Sequence, residues 1–368
     1  MKIGTREIGP GEPPYVIAEI GVNHDGEIAR ALELTEAAAR AGADAVKLQY
    51  FKTDRLLSKA AKLAAYQKAA GETDPVAMLR RLELSLDEMA LVVDRAHELG
   101  IHAIVTVFSV ELVKPASELA WDAYKSASPD VINRPLLKEL AETGKPLIVS
   151  TGASTLDEVV RAVGWLDGIR DRLALLQCVS CYPAPEDGTG GFVALSERFN
   201  DLLPVGYSDH TGSCGAVMPG AVIYEKHLTY DTSAQGPDHI ASLNPTEFQR
   251  YVENNGSGRW ISSPEHRKYL PAIVAMRKKC QVGDVSESDI AVFVQKDVLE
   301  CEQDVREVAR QSLVTTRDLV PGKGITREDL TLKRPGTGIE PCRLDEVIGK
   351  RLARDVGADT PLTEDDLA

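Results

Sequence analysis

No run of apolar residues in this 368-residue chain approaches the ~20 needed to cross a bilayer, so a membrane-spanning helix is not expected. The first residues, Met1-Lys2-Ile3-Gly4-Thr5-Arg6-Glu7, hold no apolar stretch of the kind a secretory signal carries, and the expected location is the cytoplasm. Positive charge is also short: 42 lysines and arginines stand against 56 aspartates and glutamates, a net of -14. A general nucleic-acid binder neutralises phosphates with a basic face, and this balance argues against one. Anionic small molecules stay admissible, provided a few lysines or arginines are gathered against the overall field. Cysteine is scarce and unpatterned. The six (178, 181, 214, 280, 301, 342) read as free thiols in a chain without a secretion signal. Cys178-Val179-Ser180-Cys181 has CxxC spacing, but it falls on a strand end, where a zinc or redox role is not expected.

What is present is alternation. Short β-branched runs at 15–23, 44–50, 101–107, 122–127, 146–152, 173–180, 205–211 and 221–229 predict eight strands, separated by amphipathic stretches. Ile28, Leu32, Thr35 and Ala39 make one helical stripe that ends at Gly42. Ser85 with Glu88, and Thr155 with Glu158, are capping-box patterns ahead of apolar helices. Asn244-Pro245-Thr246-Glu247 supplies a cap, a first-turn proline and an acid for the helix after the last strand. Eight βα units in about 250 residues are the size of a TIM (β/α)8 barrel, with a doubly wound open sheet as the alternative. The stretch Thr53 to Ala70 is a helical excursion between the second and third strands, read either as a lid or as decoration. Single cores stop growing near about 250–300 residues, so a boundary is expected in the last third. Residues 1–255 form the expected barrel, 256–305 a linker, and 306–368 a small β-rich module.

Polar residues fall where a barrel builds its active site, at the strand C-termini. Those ends read Glu19 with Asn23, Lys47 with Gln49, Thr106, Lys125 with Ser126 and Ser128, Ser150 with Thr151, Ser180 with Tyr182, Ser208 to His210, and Glu225 to His227. An ordinary buried parallel strand would stay apolar to its end. Two adjacent strands ending in Ser208-Asp209-His210 and Glu225-Lys226-His227 would aim two imidazoles into a common space, the usual way to hold a metal. The alternative is a pair of unrelated strand-end histidines bonded to backbone.

The chain resembles the sialic acid synthase family, phosphoenolpyruvate-dependent synthases that join a TIM barrel to a C-terminal antifreeze-like (SAF) domain. The matching stretches include Ile17 to His24, Ala41 to Gln49, Tyr124 to Ser128, Ser150 to Gly152, Tyr182 to Pro185, Gly206 to Thr211, Glu225 to His227, Gly236 to His239 and Lys333 to Ile339. They run in family order over nearly the whole chain.

The resemblance implies that C3 of phosphoenolpyruvate attacks the aldehyde of an open-chain amino sugar, water adds at C2, and phosphate leaves. It assigns a divalent cation, Mn²⁺ or Mg²⁺, to His210 and His227. Lys47 and Lys125, with Ser150 and Ser208, would hold phosphate and carboxylate, and Ser128 and Ser180 join that substrate-binding set. Glu19 would do acid–base or orienting work, with Lys47, Asp209 and Glu225 in the catalytic group. Gln49, Tyr182 and Asp238 would contact sugar hydroxyls. It further implies a domain-swapped homodimer, in which Arg310 and the Arg334 to Gly338 loop complete the partner's site. The sugar half departs from the family pattern, notably at Ala69-Ala70-Gly71, Ser128-Pro129, Gln177-Cys178 and Arg310-Gln311, so the acceptor is either N-acetylmannosamine or a modified, unusual sugar. Two rivals are a Schiff-base aldolase using Lys47 or Lys125, and a carbohydrate-binding relative without turnover.

Overall fold

The computed structural model describes residues 1–185, 190–199, 202–214, 218, 220–255 and 295–368. Eight parallel strands close into a barrel: β1 (Tyr15–Glu19), β2 (Ala45–Tyr50), β3 (His102–Val107), β4 (Ala123–Ser126), β5 (Leu147–Ser150), β6 (Leu173–Gln177), β7 (Val205–Asp209) and β8 (Ile223–His227), with β8 pairing back onto β1. All eight predicted strands are present, each shorter than its apolar run. The closed barrel, not the open sheet, is the architecture. A short hairpin, Lys2–Ile3 with Arg6–Glu7, precedes it, and the side chains of Ile3 and Ile8 join the plug at the barrel's N-terminal end.

The helices start where their capping chemistry places them. Ser85 Oγ accepts from Glu88 N while the Glu88 carboxylate accepts from Ser85 N, opening helix Leu86–Glu98; such a cap is worth about 1 kcal/mol. Thr155 and Glu158 repeat the exchange ahead of Leu156–Trp165. Asn244 Oδ1 accepts from the backbone of Thr246 and Glu247 at the head of Pro245–Asn255.

The excursion after β2 folds as three short helices, Thr53–Leu56, Ala65–Ala69 and Pro75–Arg81, around an apolar cluster of Val22, Phe51, Leu57, Met78, Leu82 and Phe108. It stands on the C-terminal rim of the barrel. The C-terminal module pairs β9 (Ser312–Thr315) with β10 (Leu330–Lys333), antiparallel, over its own apolar core. It rests on that excursion within the same chain: Ser58 N donates to Arg334 O at 3.0 Å, and Lys59 N to the Asp359 carboxylate at 2.7 Å.

Of the expected linker, 256–294 lies outside the described residues, as does Cys280. The described remainder is not a free tether. Leu156 N donates to Lys296 O, and the Glu302 carboxylate accepts from Ala153 N and Ser180 N, both at 2.7 Å, fastening this segment to the rim above β5 and β6.

Candidate active site

Strand alternation decides which side chains meet. Ile17, Ala45, Ile104, Ala123, Ile148, Leu176 and Ile223 face the lumen and form an apolar plug. Two residues further along the same faces stand Glu19, Lys47, Thr106, Lys125, Ser150, Cys178 and Glu225, all of which line the cavity at the barrel mouth. Register brings His227, Glu19 and Lys47 side by side across β8, β1 and β2. Gly152 closes this wall: a Cβ there would run into Ser180 Oγ and Cys178 Sγ.

Lys47 Nζ lies 2.6 Å from Glu19 and 2.9 Å from Glu225, and Lys125 Nζ lies 3.4 Å from Glu225. Ser208 Oγ donates to Glu225 at 2.9 Å. All four charges are at most 5% exposed. Burial opposes the charge on Glu225, but Lys125 and Lys47 outweigh it and hold this carboxyl far below its ordinary range. Glu19 has the poorer share. Burial pushes its carboxyl up to about 7 against the pull of Lys47, with Glu225 pushing the same way. Burial likewise opposes the Lys47 charge, yet Glu19 and Glu225 keep it protonated, whereas Lys125 is lowered because burial exceeds the help it gets from Glu225. Protonating Glu19 leaves two ammonium groups facing one carboxylate, an environment that favours an anion. Thr106 Oγ1 and Ser150 Oγ, buried here without a hydrogen-bond partner among the described residues, are free to donate to that anion.

The two histidines face one another with ring centroids 5.5 Å apart and planes at 72°. His210 Nδ1 sits 2.7 Å from Val179 O, which can only accept, so that nitrogen carries the proton and Nε2 keeps its lone pair. Burial lowers His210 to about 4, and burial with His210 and Lys47 lowers His227 well below its ordinary value. Both rings are neutral at pH 7, the form that ligates metals. His227 Nδ1 is buried without a hydrogen bond, 3.7 Å from the Asp238 carboxylate, which burial raises to about 6. Among the described residues no three His, Cys, Asp or Glu side chains are grouped to hold a metal. Two neutral imidazoles facing one another, with His227 Nδ1 unbonded, are a donor pair that would fit a cation whose remaining positions are left to water and substrate.

The mouth is roofed by the excursion and the C-terminal module. Tyr66 lies against Tyr182 (4.8 Å), and Tyr182 stacks on His210 (4.4 Å). Arg334 reaches in over the Phe108 ring at 5.5 Å, its Nε buried and unbonded among the described residues. Gln49, whose amide nitrogen donates to Gly21 O at 2.7 Å, also lines the cavity, as do Ser128, Ser180, Tyr182, Ser208 and Asp238.

Two expected site residues stand elsewhere. Asp209 points outward from β7, because Ser208 and His210 take the inward face; it pairs at 3.3 Å with Lys226, itself outward on β8, and both are fully buried against the helices. Its role is to satisfy a buried lysine. Arg310 does not line the mouth either. Both of its terminal nitrogens donate to Glu158, at 2.8 Å each, and Arg306 forks onto the same carboxylate. The acid read in sequence only as a helix cap is thus the anchor of the C-terminal segment. These arginines hold Glu158 down to about 2 although burial opposes its charge, so their stabilisation is present above the ordinary carboxyl value of 4.5 and lost as pH falls through about 2. Glu158→Ala leaves the buried Arg310 with only the distant Glu340 carboxylate, at 3.9 Å, to offset its charge, and about 3 kcal/mol should be lost. We expect limited proteolysis to cut within 295–309 of that variant while the wild type resists; equal resistance would show that the seam does not depend on this carboxylate.

Cys178, Phe108 and Tyr66 are among the cavity residues absent from the sequence-derived site set, whereas Thr106 was read only as a polar strand end and Arg334 only as part of a partner's site. Inward parity marks Thr106 and Cys178. The others arrive through packing, which has no local signature.

Comparison with known proteins adds lineage to this geometry. Residues 34–257 match the NeuB family and residues 310–368 the SAF domain. The chain is 35% identical to N,N'-diacetyllegionaminic acid synthase of Legionella pneumophila, over 98% of this chain and 96% of that protein. It is 33% identical to the protein of the same name from Campylobacter jejuni, over 95% and 98% respectively. Among solved structures, the spore coat polysaccharide biosynthesis protein spsE of Bacillus subtilis superimposes with a TM-score of 0.77 at 28% identity, covering 100% of this chain and 99% of that one.

Proposed function

Because this chain belongs to the NeuB family and ends in a SAF domain, we propose that it is a phosphoenolpyruvate-dependent synthase of sugar acids. The observation that carries the reading is the convergence of Lys47, Lys125, Glu19 and two neutral imidazoles on one buried mouth. In the reaction, C3 of phosphoenolpyruvate bonds to the aldehyde carbon of an open-chain aldose, water adds at C2, and phosphate departs to leave a 2-keto-3-deoxy acid. Lys125, Ser150 and Thr106 bind the phosphate or carboxylate through charge-assisted hydrogen bonds. Lys47, fixed by two carboxylates, orients Glu19 toward the reacting carbons, and a carboxyl near pH 7 is suited to move a proton there. The chemistry supplied by a divalent cation, Mn²⁺ or Mg²⁺, when bound by His210 and His227 is Lewis-acid polarisation of the aldehyde oxygen.

The aldose lies beneath the roof, where Val22, Leu57, Met78, Leu79 and Phe108 form an apolar wall and Gln49, Tyr182, Asp238 and Arg334 give polar contacts. That wall favours acyl groups over bare hydroxyls, and the relatives named for N,N'-diacetyllegionaminic acid make a diacetylated aldose the first acceptor to test, ahead of N-acetylmannosamine. We place the protein in the cytoplasm; no helix among the described residues is long and apolar enough to cross a membrane. The working unit we propose, on the family resemblance alone, is a homodimer with exchanged SAF domains; light scattering at twice the chain mass is the expected result, and the mass of one chain would remove it.

Incubation with phosphoenolpyruvate, Mn²⁺ and a panel of N-acyl and neutral aldoses should release phosphate only when an aldose is present, with a product mass equal to aldose plus pyruvate. Aldose-independent release, or none with any acceptor, would end the reading. The lowered Lys125 keeps one second reading alive, a Schiff-base aldolase. It predicts borohydride trapping of pyruvate on Lys125, which the synthase should not show.

A further inference from the structure

Asp238 reaches the mouth from the loop after β8, and that loop is long: the chain leaves the barrel at His227, makes one 3-10 turn at His239–Ala241 and meets its next α-helix at Pro245. What fixes it lies across the barrel seam, on the loop after β1. Asn23, fully buried, donates its amide to Leu228 O at 3.0 Å and to Ser242 Oγ at 2.8 Å, and Ser242 Oγ donates in turn to Asp238 O at 2.6 Å. Two residues on, Asp25 Oδ1 lies 3.0 Å from Nε2 of His239, whose Nδ1 is 2.7 Å from Thr229 Oγ1. Asp25 is itself held by Tyr230 OH at 2.8 Å and by Arg30 at 2.5 Å, and its backbone takes the left-handed conformation, φ 52°, that aspartate and asparagine tolerate best. Gly236 admits the His239 ring, since a Cβ there would come within 2.7 Å of it. None of Asn23, Asp25 or His239 lines the cavity, whereas Pro237 and Asp238 do.

We propose that Asn23 and Asp25 are positioning residues that grip the β8 loop on both sides of Asp238 and so set where its carboxylate stands against His227 and the acceptor sugar. Polar groups this deep are usually explained by the fold alone. Here, however, Asn23 reaches Asp238 O through Ser242 Oγ and Asp25 holds His239, the residue after that cavity-facing carboxylate, and both come from the neighbouring loop rather than from the loop itself. What Asp238 contacts rests on the synthase reading; the grip does not.

Two measurements on the full-length protein test the proposal. In Asp25→Ala, amide hydrogen exchange should quicken at Ala241 and Ser242, whose N–H groups close the turn onto Asp238 O and His239 O. Kinetically, Asp25→Ala should raise KM for the aldose about tenfold and leave that for phosphoenolpyruvate within about twofold. Asp25→Asn keeps the acceptor oxygen and the backbone preference, and should recover most of the loss. In an Asp238→Ala background Asp25→Ala should cost nothing more. Unchanged exchange at 241–242 overturns the grip, whether or not the wild type turns over. Equal rises in both KM values, or additive losses in the double variant, overturn the positioning role. If the wild type consumes no phosphoenolpyruvate with any aldose, the synthase reading fails and the exchange result alone decides the grip.

Discussion

His227→Ala is expected to lower turnover by about a thousandfold and to abolish Mn²⁺ binding by calorimetry. The cation we propose at this mouth would have two protein ligands, both neutral because burial suppresses their protonation. Removing one leaves a lone imidazole, and among the described residues no third histidine, cysteine or carboxylate is grouped with them to replace it. Lewis-acid stabilisation of an alkoxide contributes several kcal/mol, and about 4 kcal/mol corresponds to a thousandfold. His210→Ala should behave alike but with an added cost in stability, because its ring also bonds Val179 O and stacks on Tyr182. Chelation of the wild type should mimic both variants and be reversed by Mn²⁺, whereas Mn²⁺ should not rescue either variant. Full turnover in His227→Ala, or indifference of the wild type to chelator, would remove the metal from the reaction.

Glu19→Gln should cut kcat by about 10²- to 10⁴-fold, the usual range for a positioned acid–base group, and should also erase one limb of the pH profile. The wild-type limb is expected near pH 7, where burial has placed this carboxyl. The same shift sets a stability trend. The folded protein retains a proton that the unfolded chain releases above the ordinary 4.5, so the contribution of Glu19 is fully present below 4.5 and declines as pH rises through about 7. Glutamine cannot titrate, and urea midpoints of Glu19→Gln should lose this decline across that window. Lys47 keeps Glu225 at 2.9 Å in the variant, so the ammonium is not stranded and the fold should persist. A pH profile identical to that of the wild type would assign the limb to another group, Asp238 near 6 being the next candidate.

The pair Asp209 and Ser208 shows how far one sequence reaches. Both end the same strand, both are polar, and composition treats them alike. A period of two separates them, and parity counted back from the apolar plug would have sent Asp209 and Lys226 outward to each other before any coordinates existed. Glu158 marks the opposite limit. Its spacing from Thr155 announces a capping box, which is real, yet nothing local states that Arg306 and Arg310, some 150 residues later, close on the same carboxylate. Arg334 is similar: the resemblance set its loop at a partner's site, and its placement over Phe108 of the same chain was not legible.

The sequence by itself determined the eight staves, the caps that start the helices between them, and the polar set at the strand ends, because these follow from periodicity and short-range hydrogen bonding within a few residues. Tertiary structure alone decided which of two linked carboxylates keeps its proton, which arginine faces the cavity, and how the loops after β1 and β8 brace each other. Those outcomes depend on burial and on distances between charges far apart in the chain, and in a low-dielectric mouth an ångström of approach changes them more than any residue's identity does.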